Sequence, residues 1–234
     1  YIPVFITILV LVDMWGVDKR YLNESNFEVK TDYASKTFPQ TTADKSILQD
    51  THPSYRALNL NNTFQDSGTS YYHKSIGGYH AAKLKRYQEL IEHQLGSEVS
   101  LVVQRSNTIL QQEVARLQSS QIEQGVNPQD LLVQAIQDSM ASVLGSLPVL
   151  NMLNAKYIIF HPELPAIKNE TALGNAWFVN KYAFVDNADK EIEAINPLHR
   201  PAETAIIDKR FEKEVEGLSI APDSTATIKL TAYK

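Results

Sequence analysis

A chain of 234 residues can bury one good core or two small ones, and its 43% hydrophobic and 21% charged content excludes a disordered chain, a collagen-like repeat and a polytopic membrane protein. A formal charge of −5 argues against a general nucleic-acid binder, which concentrates Lys and Arg to neutralise phosphates. With no cysteine there is no disulfide framework, no thiolate zinc site and no thiol nucleophile.

The chain opens on Tyr1, and Val4 to Val12 is an unbroken apolar run closed by Asp13. A spanning helix needs about 20 apolar residues, roughly twice this run. It lacks the basic leader and small-residue cleavage site of a signal peptide. Two readings fit it: a buried core segment, or the second half of a transmembrane helix. The following residues favour the second, because Asp13, Trp15, Asp18, Lys19 and Arg20 supply an aromatic and then charge, as where a helix leaves a bilayer. The expected organisation is a transmembrane remnant over 1–17, an extended arm over 18–53 and an α/β domain over 54–234, truncated at its C-terminus.

Residues 23–53 are polar, punctuated by Pro39 and Pro53 and without sustained period, so they read as loop-rich. Tyr55 to Leu60 alternates and predicts a strand, and Asn61 to Ser70 is a loop of turn-forming residues. The spacing of Leu84, Tyr87, Ile91 and Leu95 predicts a helix over 79–95, with Gly96 as its C-terminal cap. The pattern resumes from Val99 to about Gln121 through Val102, Ile109, Val114 and Leu117. The third helix has the clearest start: Asn127 caps, Pro128 takes the first helical position and Asp130 suits the dipole. Pro148 then breaks the chain before a strand at Lys156 to Phe160. Trp177 to Val185 reads as one strand or two, Ala188 to Ile195 as a short helix, and Thr204 to Asp208 and Ala226 to Tyr233 as the last strands. Two strand–helix–strand crossovers imply an α/β fold with a mixed, partly parallel sheet and flanking helices, preceded by the end of a truncated transmembrane helix. Residues 55–60 and 157–160 should be strands of one sheet, with the helix over 79–95 packed on it.

No phosphate-cradling glycine loop, His-Glu-x-x-His helix, calcium loop or nucleophile elbow occurs, so no catalytic residue, metal ligand or cofactor is assigned. Gly77-Gly78 reads as a turn into the following helix. Glu89 and His93 have metal-ligand spacing but no third partner, and read as an exposed ion pair. His52, His161 and His199 read as turn residues, and the sequons at Asn23, Asn61 and Asn169 as chance. One stretch, Ser70 to Tyr87, exceeds background. Its candidate binding residues are Tyr71, Tyr72, His73, Lys74, Tyr79, His80, Lys83, Lys85 and Arg86. Cations normally sit at helix C-termini, yet Lys83, Lys85 and Arg86 fall in the first half of the predicted helix. A basic helix start suits an anion or a phosphate headgroup, and tyrosines suit an interface or a sugar face. The plainer alternative is a solvated helix face with tyrosines anchoring a loop.

The runs from Asn62 to Ile91, Val149 to Ile159 and Ala172 to Ile192, with Asp13 to Leu22, resemble the YfhO-type bacterial membrane proteins in their Bacteroides form. The resemblance covers most of the chain in order, less so from Ser97 to Gly145. That family's membrane part resembles the GT-C glycosyltransferases, which take sugars from polyprenyl-phosphate carriers outside the cytoplasmic membrane. The resemblance implies that 54–234 is an extracytoplasmic (periplasmic) domain of a bacterial inner-membrane protein, with the rest of the parent as partner. No catalytic residue carries over. The function it implies is accessory: acceptor recognition or support of the active-site groove, inactive alone. Polyprenyl-phosphate, anionic lipid headgroups or a glycan acceptor would be partners, and nucleic acid would not. The alternative is a non-enzymatic cell-envelope interaction domain.

Overall fold

The computed structural model describes every residue except 28, 80, 120–126, 219, 222–224 and 232–234. The chain forms two compact units, Tyr1–Gln40 and Thr41–Lys234.

In the first unit, α1 (Ile2–Tyr21) carries Lys19 and Arg20 in its last turn, where cations complement the dipole. None of its residues is buried. Ile6, Ile8, Leu9 and Val10 are each 53% exposed, and Val12 is 67% exposed. From Ile2 to Val12 the helix is apolar on nearly every side, so it offers no single stripe for a core to cover. Residues 4–12 are thus helical and exposed, and they are not a buried core segment. Among the described residues, no helix is long and apolar enough to cross a membrane. The predicted arm is not extended. It holds a 3-10 turn (Glu24–Asn26) closed by a capping box between Asn23 and Asn26, then α2 (Lys30–Thr37).

The second unit begins with α3 (Thr42–Ile47), which also lies in the predicted arm. Thr41 Oγ1 accepts the Asp44 N–H at 3.1 Å, and Asp44 Oδ2 accepts the Thr41 N–H at 2.9 Å. That reciprocal cap supports a helix too short to show a period. The strand β1 (Arg56–Asn59) follows, then the short turn α4 (Thr69–Tyr72). The helix predicted from Tyr79 begins only at α5 (Lys85–Leu90), because Leu84 is extended at φ −58°, ψ 129°. It does not stop at Gly96, which is helical at φ −60°, ψ −39°. Instead α5 runs through a π turn (Ile91–Leu95) into α6 (Gly96–Ser119). A Cβ on Gly96 would stand 2.7 Å from the Ile91 carbonyl oxygen, so this glycine relieves crowding at the π turn rather than capping. In α7 (Pro128–Gly145), Asn127 accepts the Gln129 N–H at 3.1 Å, as the sequence predicts. Pro148 does not simply break the chain; it opens α8 (Pro148–Met152).

β2 (Ala155–Ile159) pairs parallel with β1, placing Leu58 beside Ile158 and Asn59 beside Ile159. β3 (Ile167–Lys168) adds antiparallel to β2. Strands 55–60 and 157–160 therefore share one sheet, and Tyr87, Leu90, Ile91 and Leu95 pack into the same core. Leu58 and Ile158 meet Val102, Ile136, Met140 and Leu150 on one face. Ala57 and Ile159 meet Ala43 and Ile47 on the other. The sheet is buried on both faces, as parallel pairing favours, and α3 covers the second.

β4 (Lys181–Val185), α9 (Ala188–Ala194) and β5 (Thr204–Asp208) form a second parallel crossover with its own two-stranded sheet. Residues 177–180 are not strand, and α10 (Glu212–Val215) ends the described regular structure. The strand predicted over 226–233 is not formed at 225–231, and its last residues lie outside the described ones.

Candidate functional site

The basic-aromatic stretch does not gather into one surface. Tyr71 is 51% exposed and meets Tyr72 edge to face, with ring centroids 4.9 Å apart. His73 turns inward: its side chain is 0% exposed and Nε2 lies 2.9 Å from Asp44 Oδ1. It ties the end of α4 to α3 and is not part of a binding surface. Lys74 Nζ donates to the Pro53 carbonyl at 3.0 Å. Tyr79 and Lys83 border a shallow depression with Phe64 and Gln65, the ammonium standing 5.7 Å from the Phe64 ring centroid. His80 lies outside the described residues. Lys85 Nζ is 3.5 Å from Glu89 one turn on, so the partner of Glu89 is Lys85 rather than His93.

Arg86 leads to a more definite feature. With Glu89 it borders a cleft of about 620 Å³. Leu90 of α5 and Met152 of α8 form one wall, and Ile192 of α9 and Ile206 of β5 another. Trp177 completes it, its indole N–H donating to the Pro201 carbonyl at 2.8 Å. Gln94 Nε2 donates to the Ile192 carbonyl at 2.9 Å, which locks the helical wall to α9. His199 and Arg210 also reach the cleft. Burial pushes the His199 imidazole pKa down, which favours its neutral form. Arg210 is engaged by Asp208 at 3.1 Å and stacks 4.7 Å from the Phe211 ring centroid. Apolar walls with a few polar groups at the edge suit binding of a partly apolar molecule. Of these residues sequence reasoning offered only Arg86 for binding, reading Glu89 as an ion-pair partner and His199 as a turn residue, because β4, α9 and β5 are distant in the chain.

A second cluster gathers around Asp50, which lies in the region predicted to be an arm. The Asp50 carboxylate accepts hydrogen bonds from Lys156 Nζ, from Tyr157 OH at 2.8 Å and from the His52 N–H at 2.9 Å. Tyr55 packs edge to face on Tyr157, ring centroids 5.2 Å apart. Burial alone would raise the Asp50 pKa, but these donors overcome it and hold it at about 2. Burial and the Asp50 charge push the Tyr157 phenol up. The Asp50 pKa is depressed on folding, so its stabilisation is present above the ordinary value of 3.8 and is lost as pH falls through about 2. With solvent screening at this partly open site, the loss should be roughly 1–2 kcal/mol. Urea midpoints between pH 5 and pH 2 should fall less steeply in Asp50→Asn than in the wild type. Parallel curves would contradict the assignment.

Among the described residues, no group of three or more His, Cys, Asp or Glu side chains could hold a metal ion. Compared with known proteins, the chain matches no family model, no curated protein and no solved structure.

Proposed function

We propose that this chain is an accessory extracytoplasmic domain of a YfhO-type, GT-C-like protein of the bacterial inner membrane. In this reading α1 enters the bilayer, the second unit recognises an acceptor or supports the active-site groove, and transfer itself belongs to the rest of the parent. The observation that carries the reading is α1, apolar on nearly every side from Ile2 to Val12 and nowhere buried. Such a surface is stable only against lipid or other apolar helices. At 1.5 Å per residue the apolar part is roughly 16 Å long, about half of a hydrocarbon core. Trp15, Lys19 and Arg20 then fall where interfacial residues belong. The parent is named from the resemblance of the runs Asn62 to Ile91, Val149 to Ile159 and Ala172 to Ile192, and the cleft beside Arg86 would offer a place for an acceptor.

The chain has two tryptophans, so Trp177→Phe leaves Trp15 as the sole indole. Mixed with phosphatidylcholine vesicles, this variant should show blue-shifted Trp15 emission, quenched by lipids labelled in the acyl chain. Emission indifferent to vesicles would remove the membrane reading.

A further inference from the structure

Arg56 opens β1 and is only partly exposed. A guanidinium in that position is costly unless an anion or a full set of acceptors meets it. Among the described residues no carboxylate forms an ion pair with it. It lines a small pocket of about 240 Å³ together with Ser54, Asn154, Asn175, Gly174 and Met152, and no acidic residue lines that pocket.

The hydrogen-bond inventory of the pocket is one-sided. Asn154 Nδ2 donates to the Ser54 carbonyl at 3.4 Å and to Asn175 Oδ1 at 3.0 Å, so both of its hydrogens are used. Asn175 Nδ2 donates to Ser54 Oγ at 2.6 Å. The side-chain oxygens of Asn175 and Ser54 thus already accept, while the Ser54 hydroxyl hydrogen and the second Asn175 amide hydrogen remain to be given. Ser54 and Asn154 are 6% and 5% exposed, so the floor of the pocket is built into the fold, and the exposed Asn175 closes it from the surface. Asn154 takes φ +57° within it, a left-handed conformation that asparagine tolerates.

We propose that Arg56, Ser54 and Asn175 form an oxyanion pocket that takes a carboxylate or phosphate group. The guanidinium fork matches either group in two-point geometry, and the hydroxyl and amide supply further donors. The volume leaves room for water beside the anion. Met152 lines both this pocket and the cleft beside Trp177, which gives an organic substituent on the anion an apolar surface to follow.

The test is calorimetric titration of the full chain with inorganic phosphate, acetate and octyl phosphate in a chloride buffer. At least one should bind saturably, and Arg56→Gln should weaken that binding at least tenfold. Tighter octyl phosphate than inorganic phosphate identifies an amphiphilic anion lying toward the cleft. Equal affinities identify a free oxyanion, and acetate alone identifies a carboxylate. The backbone N–H of Arg56 keeps its bond to the Asn154 carbonyl at 3.0 Å whatever the side chain, so the strand should survive the exchange. The same concentration of ligand should raise the melting temperature of the wild type more than that of Arg56→Gln. Should Arg56→Gln not fold, Ser54→Ala, which removes one donor, must weaken binding severalfold. No saturable binding of any of the three anions overturns the proposal. So does binding by Arg56→Gln, or by Ser54→Ala where it stands in, within twofold of wild type.

Discussion

Replacing Glu98 by Ala should destabilise the protein by about 2–6 kcal/mol, since each of two buried donors left without an acceptor costs about 1–3 kcal/mol. Glu98 sits on α6, is 6% exposed, and reaches across to the first turn of α8. One carboxylate oxygen accepts the Val149 N–H at 2.9 Å and the other accepts the Leu150 N–H at 2.8 Å. Both amides belong to a helix start, where no intrahelical acceptor exists. Val149 and Leu150 are themselves in the core, so water replaces the carboxylate poorly. Glu98→Gln should be intermediate or nearly as harmful, because its amide group offers one acceptor and opposes the second N–H with a donor. Burial pushes the Glu98 pKa up, and the two backbone donors only partly offset this. A folded pKa above the unfolded one means a contribution that is full at low pH and declines as pH rises through the folded value. That trend is opposite to the one at Asp50. Urea midpoints at pH 4 and pH 7 should therefore show a slope that Glu98→Gln lacks. An Ala variant within 0.5 kcal/mol of wild type, the usual range for a surface exchange, would show that Glu98 does not hold α8.

Local signals made the crossovers readable. Asn127 and Pro128 mark the start of α7, and the apolar runs at Tyr157 to Ile159 and Thr204 to Asp208 give β2 and β5. Parallel pairing then follows from the helices between the strands. What stayed hidden is set by tertiary contacts. α3 buries Ala43, Asp44 and Ile47 within six residues, too few to declare a period. Alternation over 226–233 promises a strand, but alternation supplies no partner, and a strand without a ladder leaves its backbone groups to water. The inward turn of His73 depends on Asp44 being across from it, and nothing near residue 73 in the sequence announces that. The Arg56 pocket is hidden for the same reason, because Ser54 meets Asn154 and Asn175 across separations of 100 and 121 residues. Arg86 was reachable because it is a cation at a helix start, whereas the cleft it borders belongs to elements further along the chain.

Gly77→Ala should cost about 3 kcal/mol or more, at or beyond the upper end of ordinary overpacking. A Cβ there would fall 1.7 Å from the Thr63 carbonyl oxygen and 2.7 Å from its carbon. The obstacle is backbone, and it is fixed: the same oxygen accepts the Gly78 N–H at 2.8 Å. Moving residue 77 away would pull on its neighbours along β1. Ala57 N–H donates to the Lys74 carbonyl at 2.9 Å, and Ile76 N–H donates to the Ala57 carbonyl at 3.0 Å. The Ile76 carbonyl in turn accepts from the Tyr87 hydroxyl at the base of α5. The glycine pair thus does more than permit a turn: it lets residues 74–78 lie against both β1 and the loop at Thr63. Gly174→Ala is the matched comparison. Gly174 has φ +78° but nothing within 4 Å of a built Cβ, so its exchange carries only the left-handed penalty of about 1–2 kcal/mol. Thermal and urea unfolding of the two variants should separate them clearly, with Gly77→Ala the weaker. If Gly77→Ala proved as stable as Gly174→Ala, the close approach of residues 63 and 77 would not exist in solution, and the extra pairing at the edge of β1 would go with it.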